Sequence, residues 1–187
     1  MNVYDFDGTI YQGDSTLDFY LFSVKRQPSI LLCLPGQIWG AVQFYVLKTV
    51  TLTQYKERFY TFLRRLDNID RLIENFWDIY IHKIAPWYLA QKKESDLVIT
   101  ASPEFLIEEA CKRLRICRPI GSKVDKHTGL YSGQNCKGQE KVIRFQQKYV
   151  HTEMEAFYSD SYADNPLAEI ARESFLVKGD HVVKWES

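Results

Sequence analysis

Three short apolar runs in this 187-residue sequence each end in a polar or acidic residue. The runs are Val3-Tyr4, Leu97-Val98-Ile99 and Ala156-Phe157-Tyr158. Asp5 follows the first run, Thr100 follows the second, and Ser159-Asp160 follows the third. Short apolar runs of this kind are typical of buried strands in a parallel sheet, and ligands bind beyond the carboxyl ends of such strands. We therefore expect Asp5, Thr100 and Asp160 to lie close together and to form a site of carboxylates and a hydroxyl.

A second carboxylate stands two residues after the first, in the sequence Asp5-Phe6-Asp7-Gly8-Thr9. Of two neighbouring carboxylates, one can act as a nucleophile and the other as a general acid and base. The same five residues, taken alone, also suit a turn in which an aspartate caps the backbone.

The rest of the sequence alternates between strand and helix patterns, which is typical of an α/β fold with a doubly wound, mainly parallel sheet. Phe175-Leu176-Val177 and Pro119-Ile120-Gly121 read as two more strands. Helices are predicted after an N-cap at Ser102 and over residues 138–149 and 166–173. Asp164 is a candidate cap for the last of these helices.

The first two strands are too far apart for one crossover, because Asp5 and Thr100 are separated by 95 residues and a crossover needs only a dozen or more. We assign residues 1–12 and 95–187 to the sheet core and residues 13–94, called the insert here, to a separate helical element. Apolar stripes predict helices over 54–66 and 70–83 within the insert. Gly and Ser residues also predict a small hairpin within 120–136.

Four sequence motifs, in order, resemble those of the haloacid dehalogenase (HAD) superfamily. Asp5-x-Asp7-Gly8-Thr9 resembles motif I, Thr100 resembles motif II, Lys141 resembles motif III, and Asp160 with Asp164 resembles motif IV. The resemblance covers nearly the whole chain. It implies a Rossmann-like core with a helical cap inserted after the first strand, as in the phosphoserine-phosphatase-like branch.

The resemblance also implies roles for these residues in Mg²⁺-dependent hydrolysis of a phosphomonoester. Asp5 would be the nucleophile that forms an aspartyl-phosphate, and Asp7 the general acid and then base. The phosphate-binding residues would be Thr100, Ala101 and Lys141. The Mg²⁺ ligands would be Asp5, the backbone carbonyl of Asp7, and Asp160, with Asp164 either a direct ligand or a support for the others.

Several alternatives remain open in the sequence. Lys137 competes with Lys141 for the motif III position, and Thr100 could simply end a strand. The presence of Asp7 favours a phosphatase, because transport ATPases and dehalogenases of the superfamily lack this second aspartate. A non-catalytic phosphate-binding module is the alternative outside enzymes.

The substrate class is also open. Lys25-Arg26-Gln27-Pro28, together with residues 158–161 and 164–167, is similar to the phosphatidylglycerophosphatase C family, which implies a lipid phosphate. The other substrate class is a small metabolite such as phosphoserine, whose charged ends would need a charged pair in the insert. The candidates for that pair are Glu57, Arg58, Arg64 and Arg65.

Composition limits the partners and the compartment. The 24 basic and 24 acidic side chains balance, and no basic cluster indicates binding to nucleic acid. The four cysteines have no metal-ligand spacing, and the N-terminus has no secretory-signal pattern, so we predict a cytoplasmic protein with reduced thiols.

The stretch 27–47 carries no charge, but Pro35-Gly36 and Gly40 interrupt it. We expect it to form buried or interfacial helices of the insert, with membrane-surface contact as the open alternative.

Overall fold

The computed structural model describes residues 1–186, and its centre is a six-stranded sheet. The strands are β1 (Asn2–Tyr4), β2 (Leu97–Pro103), β3 (Ile120–Ser122), β4 (Ala156–Ser159), β5 (Glu173–Lys178) and β6 (His181–Lys184). Their order is β3-β2-β1-β4-β5-β6, and all neighbours are parallel except β5 and β6. The chain builds from β1 toward one edge and then returns to place β4 on the other side of β1. The carboxyl ends of β1 and β4 therefore meet at a topological switch point, where α/β sheets bind ligands.

Eight α-helices accompany the sheet within the described residues. They are α1 (Ser15–Arg26), α2 (Leu34–Ala41), α3 (Leu52–Phe59), α4 (Ile69–Tyr80), α5 (Pro86–Gln91), α6 (Glu104–Leu114), α7 (Gln139–Lys148) and α8 (Asn165–Ala168). Short 3₁₀ segments at Pro28–Cys33, Tyr60–Arg65, Ile81–Lys83 and Tyr162–Asp164, and a π-helical turn at Val42–Val46, extend or join them. The alternation of strand and helix confirms the α/β, doubly wound fold.

The two faces of the sheet bury different residues, because side chains alternate along a strand. Tyr4 and Val98 lie in a large cluster that also contains the apolar residues of the insert and of α6. Val3, Leu97 and Ile99 point to the opposite face, where they pack with residues of α7 and α8. The sheet is therefore covered on both faces, as parallel sheets generally are.

The insert leaves and rejoins the core at one place. The N–H of Ala85 donates to the Ile10 carbonyl at 2.8 Å, and the N–H of Gln12 donates to the Lys83 carbonyl at 2.9 Å. Asp14 then caps α1 by accepting from the Leu17 N–H at 2.9 Å. This antiparallel ribbon fixes the first turn of the insert next to the end of β1.

Some predicted elements differ in detail. The helix predicted over 54–66 is α3 followed by a 3₁₀ segment, and the helix predicted over 70–83 is α4 followed by a 3₁₀ turn. The predicted hairpin is reduced to one antiparallel bridge between Val124 and Tyr131. The strand before it, β3, pairs in parallel with β2 instead.

Two predictions of helix position are wrong. Ser102 does not cap a helix, because Pro103 pairs with Ser122 and keeps the chain in β2 until α6 begins at Glu104. The helix predicted over 166–173 ends at Ala168, because residues 172–173 already bond to the chain just before β4. In both places a sheet hydrogen bond outweighs the local helical pattern.

The stretch predicted as buried or interfacial helices is mostly exposed. Pro28–Val46, called the apolar segment here, is long and apolar enough to cross a membrane, yet only 17% of its most apolar window is buried. Ile30, Gln37 and Gly40 face the rest of the insert, and Gln37 donates to the Phe59 carbonyl at 2.8 Å. Its large exposed side chains are Leu31, Leu32, Leu34, Ile38, Trp39, Tyr45 and Val46.

Trp77 on α4 connects the insert to the core. Its ring is fully buried against Phe6 and Phe76, and its indole N–H donates to the Leu106 carbonyl at 2.7 Å. We expect Trp77→Ala to lower the free energy of unfolding by about 3–5 kcal/mol, because it opens a cavity and removes a buried hydrogen bond. Urea denaturation measures this change. Ile79→Ala, on the same helix but half-exposed, should change it by less than about 1 kcal/mol, and equal losses in the two variants would contradict the assignment.

Candidate active site

An ion-pair cluster lies beyond the end of β1, at the switch point of the sheet. The ammonium of Lys141 on α7 lies 2.9 Å from Asp5 Oδ1 and 2.7 Å from Asp164 Oδ2. Asp164 also accepts from the Ser159 hydroxyl at 2.9 Å. The Lys141 and Asp164 side chains are almost fully buried, whereas Asp5 keeps some exposure.

Burial shifts the ionisation of this cluster. Burial raises the pKa of the Asp5 carboxyl to about 7, although the Lys141 ammonium opposes the shift. Burial alone would lower the pKa of Lys141, but the two carboxylates raise it above its ordinary value. Lys141 is therefore a permanent cation, and Asp5 is an ionisable group held next to it.

Asp7 is held by both of its carboxylate oxygens. Oδ1 accepts from the Ser15 N–H at 2.6 Å, and Oδ2 accepts from the Ser102 hydroxyl at 2.5 Å. Burial raises the pKa of Asp7, and the hydrogen bonds from Ser102 and Ser15 oppose that shift. A carboxyl with a raised pKa keeps its proton to a higher pH than a free carboxyl does, which is the direction that a general acid needs.

Asp160 lies against the backbone of the first motif. Its N–H donates to the Thr9 hydroxyl at 3.0 Å, and its carboxylate occupies the space that a Cβ on Gly8 would fill. Gly8 also has φ +73°, a conformation that favours glycine. The glycine of the Asp-x-Asp-Gly sequence is therefore required by both its backbone angle and the space for Asp160.

Thr100 and Ala101 line the site from β2. Thr100 is buried, and its hydroxyl oxygen accepts from the Ser102 N–H at 3.1 Å, which leaves the hydroxyl proton available to another acceptor. The Ala101 carbonyl accepts from the Ser122 hydroxyl at 2.9 Å. Thr100 occurs before the end of β2, which continues to Pro103, so it does not simply end a strand.

Two cavities open beside Asp5. The larger, about 390 Å³ and called the Asp5 cavity here, is lined by Asp5, Asp7, Thr100, Ala101 and Ser102 from the core and by seven residues of the insert. The insert residues are Asp14, Thr16, Leu17, Tyr55, Lys56, Phe59 and Tyr60. The smaller, about 220 Å³ and called the Lys141 cavity, is lined by Asp5, Lys141, Asp164 and their neighbours.

The structure distinguishes between the two lysines that compete for the motif III position. Lys141 is buried in contact with Asp5, whereas Lys137 is an exposed residue at the wall of the Lys141 cavity. Among the charged residues considered for an amino-acid substrate, Glu57, Arg58 and Arg64 line a different cavity.

The oxygen donors near Asp5 suit Mg²⁺ better than a transition metal. Within residues 1–186, no group of three or more His, Cys, Asp or Glu side chains is placed to hold a metal ion. Mg²⁺ needs only one or two carboxylates because it keeps several waters. The space that Gly8 leaves for the Asp160 carboxylate beside the first motif is compatible with such a site.

The sequence reasoning missed several residues of this site. It did not include Lys56, whose ammonium donates to Asn135 Oδ1 at 2.8 Å and to the Ala101 carbonyl at 3.3 Å. A signal was present: Lys56 follows Leu52 by four residues and precedes Phe59 by three, so it lies on the apolar stripe of its helix. Ser102 was assigned to a helix cap, but its hydroxyl holds Asp7.

The raised pKa of Asp5 predicts a pH-dependent gain in stability for Asp5→Asn. The folded pKa of about 7 lies above the ordinary 3.8, so the stability from this group is complete below about pH 4 and is lost as the pH rises toward 7. Asparagine does not titrate, so the free energy of unfolding of Asp5→Asn minus that of the unmodified chain should increase by roughly 1 kcal/mol for each pH unit between about pH 4 and 7. Urea denaturation in EDTA measures it, and a difference that does not change with pH would contradict the shift.

Comparison with known proteins gives the family. The model of the haloacid dehalogenase-like hydrolase family matches residues 3–169, whereas no curated protein matches the sequence. A structure of a protein of unknown function from Bordetella pertussis Tohama I superposes with a TM-score of 0.66 at 18% identity, covering 93% of this chain and 87% of that one.

Two further structures share the fold. A phosphoserine phosphohydrolase-like protein from Francisella tularensis subsp. tularensis SCHU S4 has a TM-score of 0.57 at 14% identity, over 93% of this chain and 86% of that chain. A phospho-aspartyl intermediate analogue of phosphoserine phosphatase has a TM-score of 0.51 at 14% identity, over 92% of this chain and 83% of that chain. The resemblance noted in the four motifs is confirmed, and the chain belongs to the haloacid dehalogenase-like hydrolase family.

Proposed function

We propose that this hydrolase is a Mg²⁺-dependent phosphatase that cleaves a phosphomonoester through an aspartyl-phosphate on Asp5. The observation that carries the proposal is the geometry around Asp5: a partly exposed carboxylate beside a buried lysine and next to a second carboxyl, at the wall of a cavity. The shared fold with the phospho-aspartyl intermediate analogue of phosphoserine phosphatase supports it.

The reaction needs two displacements at phosphorus. A carboxylate oxygen of Asp5 attacks the phosphorus while the bond to the leaving oxygen breaks, and Asp7 gives that oxygen its proton. Asp7, now ionised, takes a proton from a water, whose oxygen attacks the phosphorus and releases inorganic phosphate and the Asp5 carboxylate. The raised pKa of Asp7 suits both steps.

Other residues hold the phosphate and reduce repulsion. The Lys141 ammonium offsets the negative charge of Asp5, which would otherwise repel an incoming phosphate. The Thr100 hydroxyl and the backbone at Ala101 face the Asp5 cavity, where they would bind phosphate oxygens. Mg²⁺, held by Asp5, the Asp7 carbonyl and Asp160, would neutralise charge on the phosphoryl oxygens. Because Asp164 bonds to Lys141 and Ser159, we assign it to supporting the site rather than to direct ligation.

Phosphate release tests the proposal directly. The unmodified chain should release phosphate from phosphomonoesters with Mg²⁺, and EDTA should abolish release. Asp5→Asn should lower kcat by more than about 1000-fold because it removes the nucleophile, while circular dichroism shows an unchanged fold. Phosphate or Mg²⁺ binding without turnover would favour the non-catalytic module, and persistent activity in Asp5→Asn would remove Asp5 from the nucleophile role.

Paired lysine variants test motif III. Lys141→Ala should lose at least about 100-fold in kcat and should also unfold more readily, because it leaves two buried carboxylates uncompensated. Lys137→Ala is the matched control, since its side chain is exposed, and it should stay within about threefold of the unmodified chain. The reverse order of effects would assign the phosphate-facing role to Lys137.

A lipid phosphate is the second candidate substrate, and the position of the apolar segment favours it. Phe44 of this segment stacks on Tyr55 with ring centroids 5.2 Å apart, and Tyr55 lines the Asp5 cavity. Leu17, which also lines this cavity, is half-exposed. The exposed apolar surface therefore continues to the site, which is what a phosphatase that takes its substrate from a membrane would need.

The lipid hypothesis predicts that substrate preference and membrane binding change together. Phosphatidylglycerophosphate in mixed micelles should be hydrolysed faster than soluble esters such as phosphoserine. Trp39→Glu should reduce sedimentation with lipid vesicles and kcat/KM for the micellar lipid by roughly tenfold, because a charge replaces an exposed apolar anchor. Ile79→Glu, an equally exposed position on α4, is the control. Preference for a soluble ester would make the apolar segment irrelevant to substrate choice.

A further inference from the structure

Lys56 brings a positive charge from the insert to the reaction site. Its side chain lies at the wall of both the Asp5 cavity and the Lys141 cavity. The Lys56 ammonium is held by two neutral oxygens, Asn135 Oδ1 at 2.8 Å and the Ala101 carbonyl at 3.3 Å. Within residues 1–186, no carboxylate oxygen forms an ion pair with it.

The charge of Lys56 is therefore less compensated than that of Lys141. Two carboxylates bind Lys141, whereas Lys56 has only neutral acceptors for two of its three protons. Burial lowers the pKa of Lys56 to about 8, although Asp14 and Asp7 oppose the shift. An ammonium in this state gains more from a new anionic partner than one that is already paired.

The Asp5 cavity needs a positive charge at its wall if it is to bind phosphate, because its other charged lining residues are acidic. Three carboxylates line it, those of Asp5, Asp7 and Asp14, and Lys56 is the one basic residue among its described lining residues. A phosphate entering this space carries up to two negative charges and would be repelled by the carboxylates. Lys56 is placed to offset that repulsion at the wall of this cavity.

We propose that Lys56 binds an oxygen of the substrate's phosphate group, exchanging a neutral carbonyl contact for the phosphate. This inference rests on the proposed function, in that the ligand is the phosphate of the phosphomonoester. It makes the insert part of the phosphate site. Since Lys56 also contacts the core residues Asn135 and Ala101, phosphate binding and the seating of α3 on the core become linked.

Equilibrium binding of inorganic phosphate, measured by calorimetry with Mg²⁺ present, tests the inference. Lys56→Met should weaken phosphate binding by roughly 10- to 100-fold, the usual range for a lost charged hydrogen bond. Lys56→Arg should recover most of that affinity because it restores the charge. Lys112→Met is the control: Lys112 is 77% exposed on α6, and its removal should leave the affinity unchanged.

Two measurements separate binding from a structural role. A residue that only fastens the insert would change the urea midpoint without changing phosphate affinity in the folded protein. A phosphate-binding residue would change the phosphate Kd, and Lys56→Arg would restore it. If Lys56→Met does not fold, Lys56→Gln, which can still contact Asn135, provides the same comparison.

The outcomes distinguish this inference from the proposed function. Phosphate affinity of Lys56→Met within twofold of the unmodified chain would overturn the inference, as would an absence of phosphate binding by the unmodified chain. Lys56-dependent phosphate binding in a chain that hydrolyses no phosphomonoester would instead overturn the proposed function and leave the phosphate site in place.

Discussion

The rest of the site depends on the buried ammonium of Lys141 between Asp5 and Asp164. Bringing three charged groups out of water at the end of a parallel sheet is costly, and breaking such a cluster by removing one member costs more than its net contribution to stability. The cluster fixes α7 against β1 and against the loop after β4, because each of the three residues comes from a different element. The same contacts leave Asp5 partly exposed, so it can be reached from the cavities.

The site is enclosed by two parts of the chain with different structural origins. The core supplies Asp5 at the end of β1 and Thr100 from within β2, both at the wall of the Asp5 cavity, and it supplies Asp160 after β4, against Gly8 and Thr9. The insert supplies another wall through α1 and α3, and the ribbon at residues 10–12 and 83–85 joins the two ends of the insert just before α1 begins. Ser15 and Ser102, one from each part, hold the two oxygens of Asp7. The orientation of the Asp7 carboxylate therefore depends on the insert as well as the core.

The apolar segment has one face buried against the rest of the insert and one apolar face exposed to solvent. One of its faces packs on the insert through buried Ile30 and Gly40, while Trp39 and Val46 face solvent. A soluble domain seldom leaves so many large apolar side chains exposed together without a binding role. Its aromatic contact with Tyr55 connects that surface to the wall of the Asp5 cavity. Under the proposed function, this surface is the part of the insert through which a lipid phosphate would reach the site.

Much of this architecture was determined by the sequence alone. Uninterrupted apolar runs predicted β1, β2, β4 and β5, because buried parallel strands need no polar face, and the 95-residue gap required an insert. Motif spacing singled out Asp5 and Asp7, the proposed catalytic aspartates, because local backbone geometry at the strand end, including the positive φ of Gly8, is a short-range property.

Tertiary structure decided what depends on contacts between distant residues. It favoured Lys141 over Lys137, since a fully buried lysine is rare unless an opposite charge pairs with it, and the partners Asp5 and Asp164 come from other elements. It also gave Ser102 a different role from the predicted one. Pairing between Pro103 and Ser122 extends β2 beyond Ser102, so this serine does not cap a helix and its hydroxyl donates to Asp7. It also brought Lys56 to Asn135, 79 positions away in the chain, a contact that no local pattern encodes because it depends on how the insert folds back over the core.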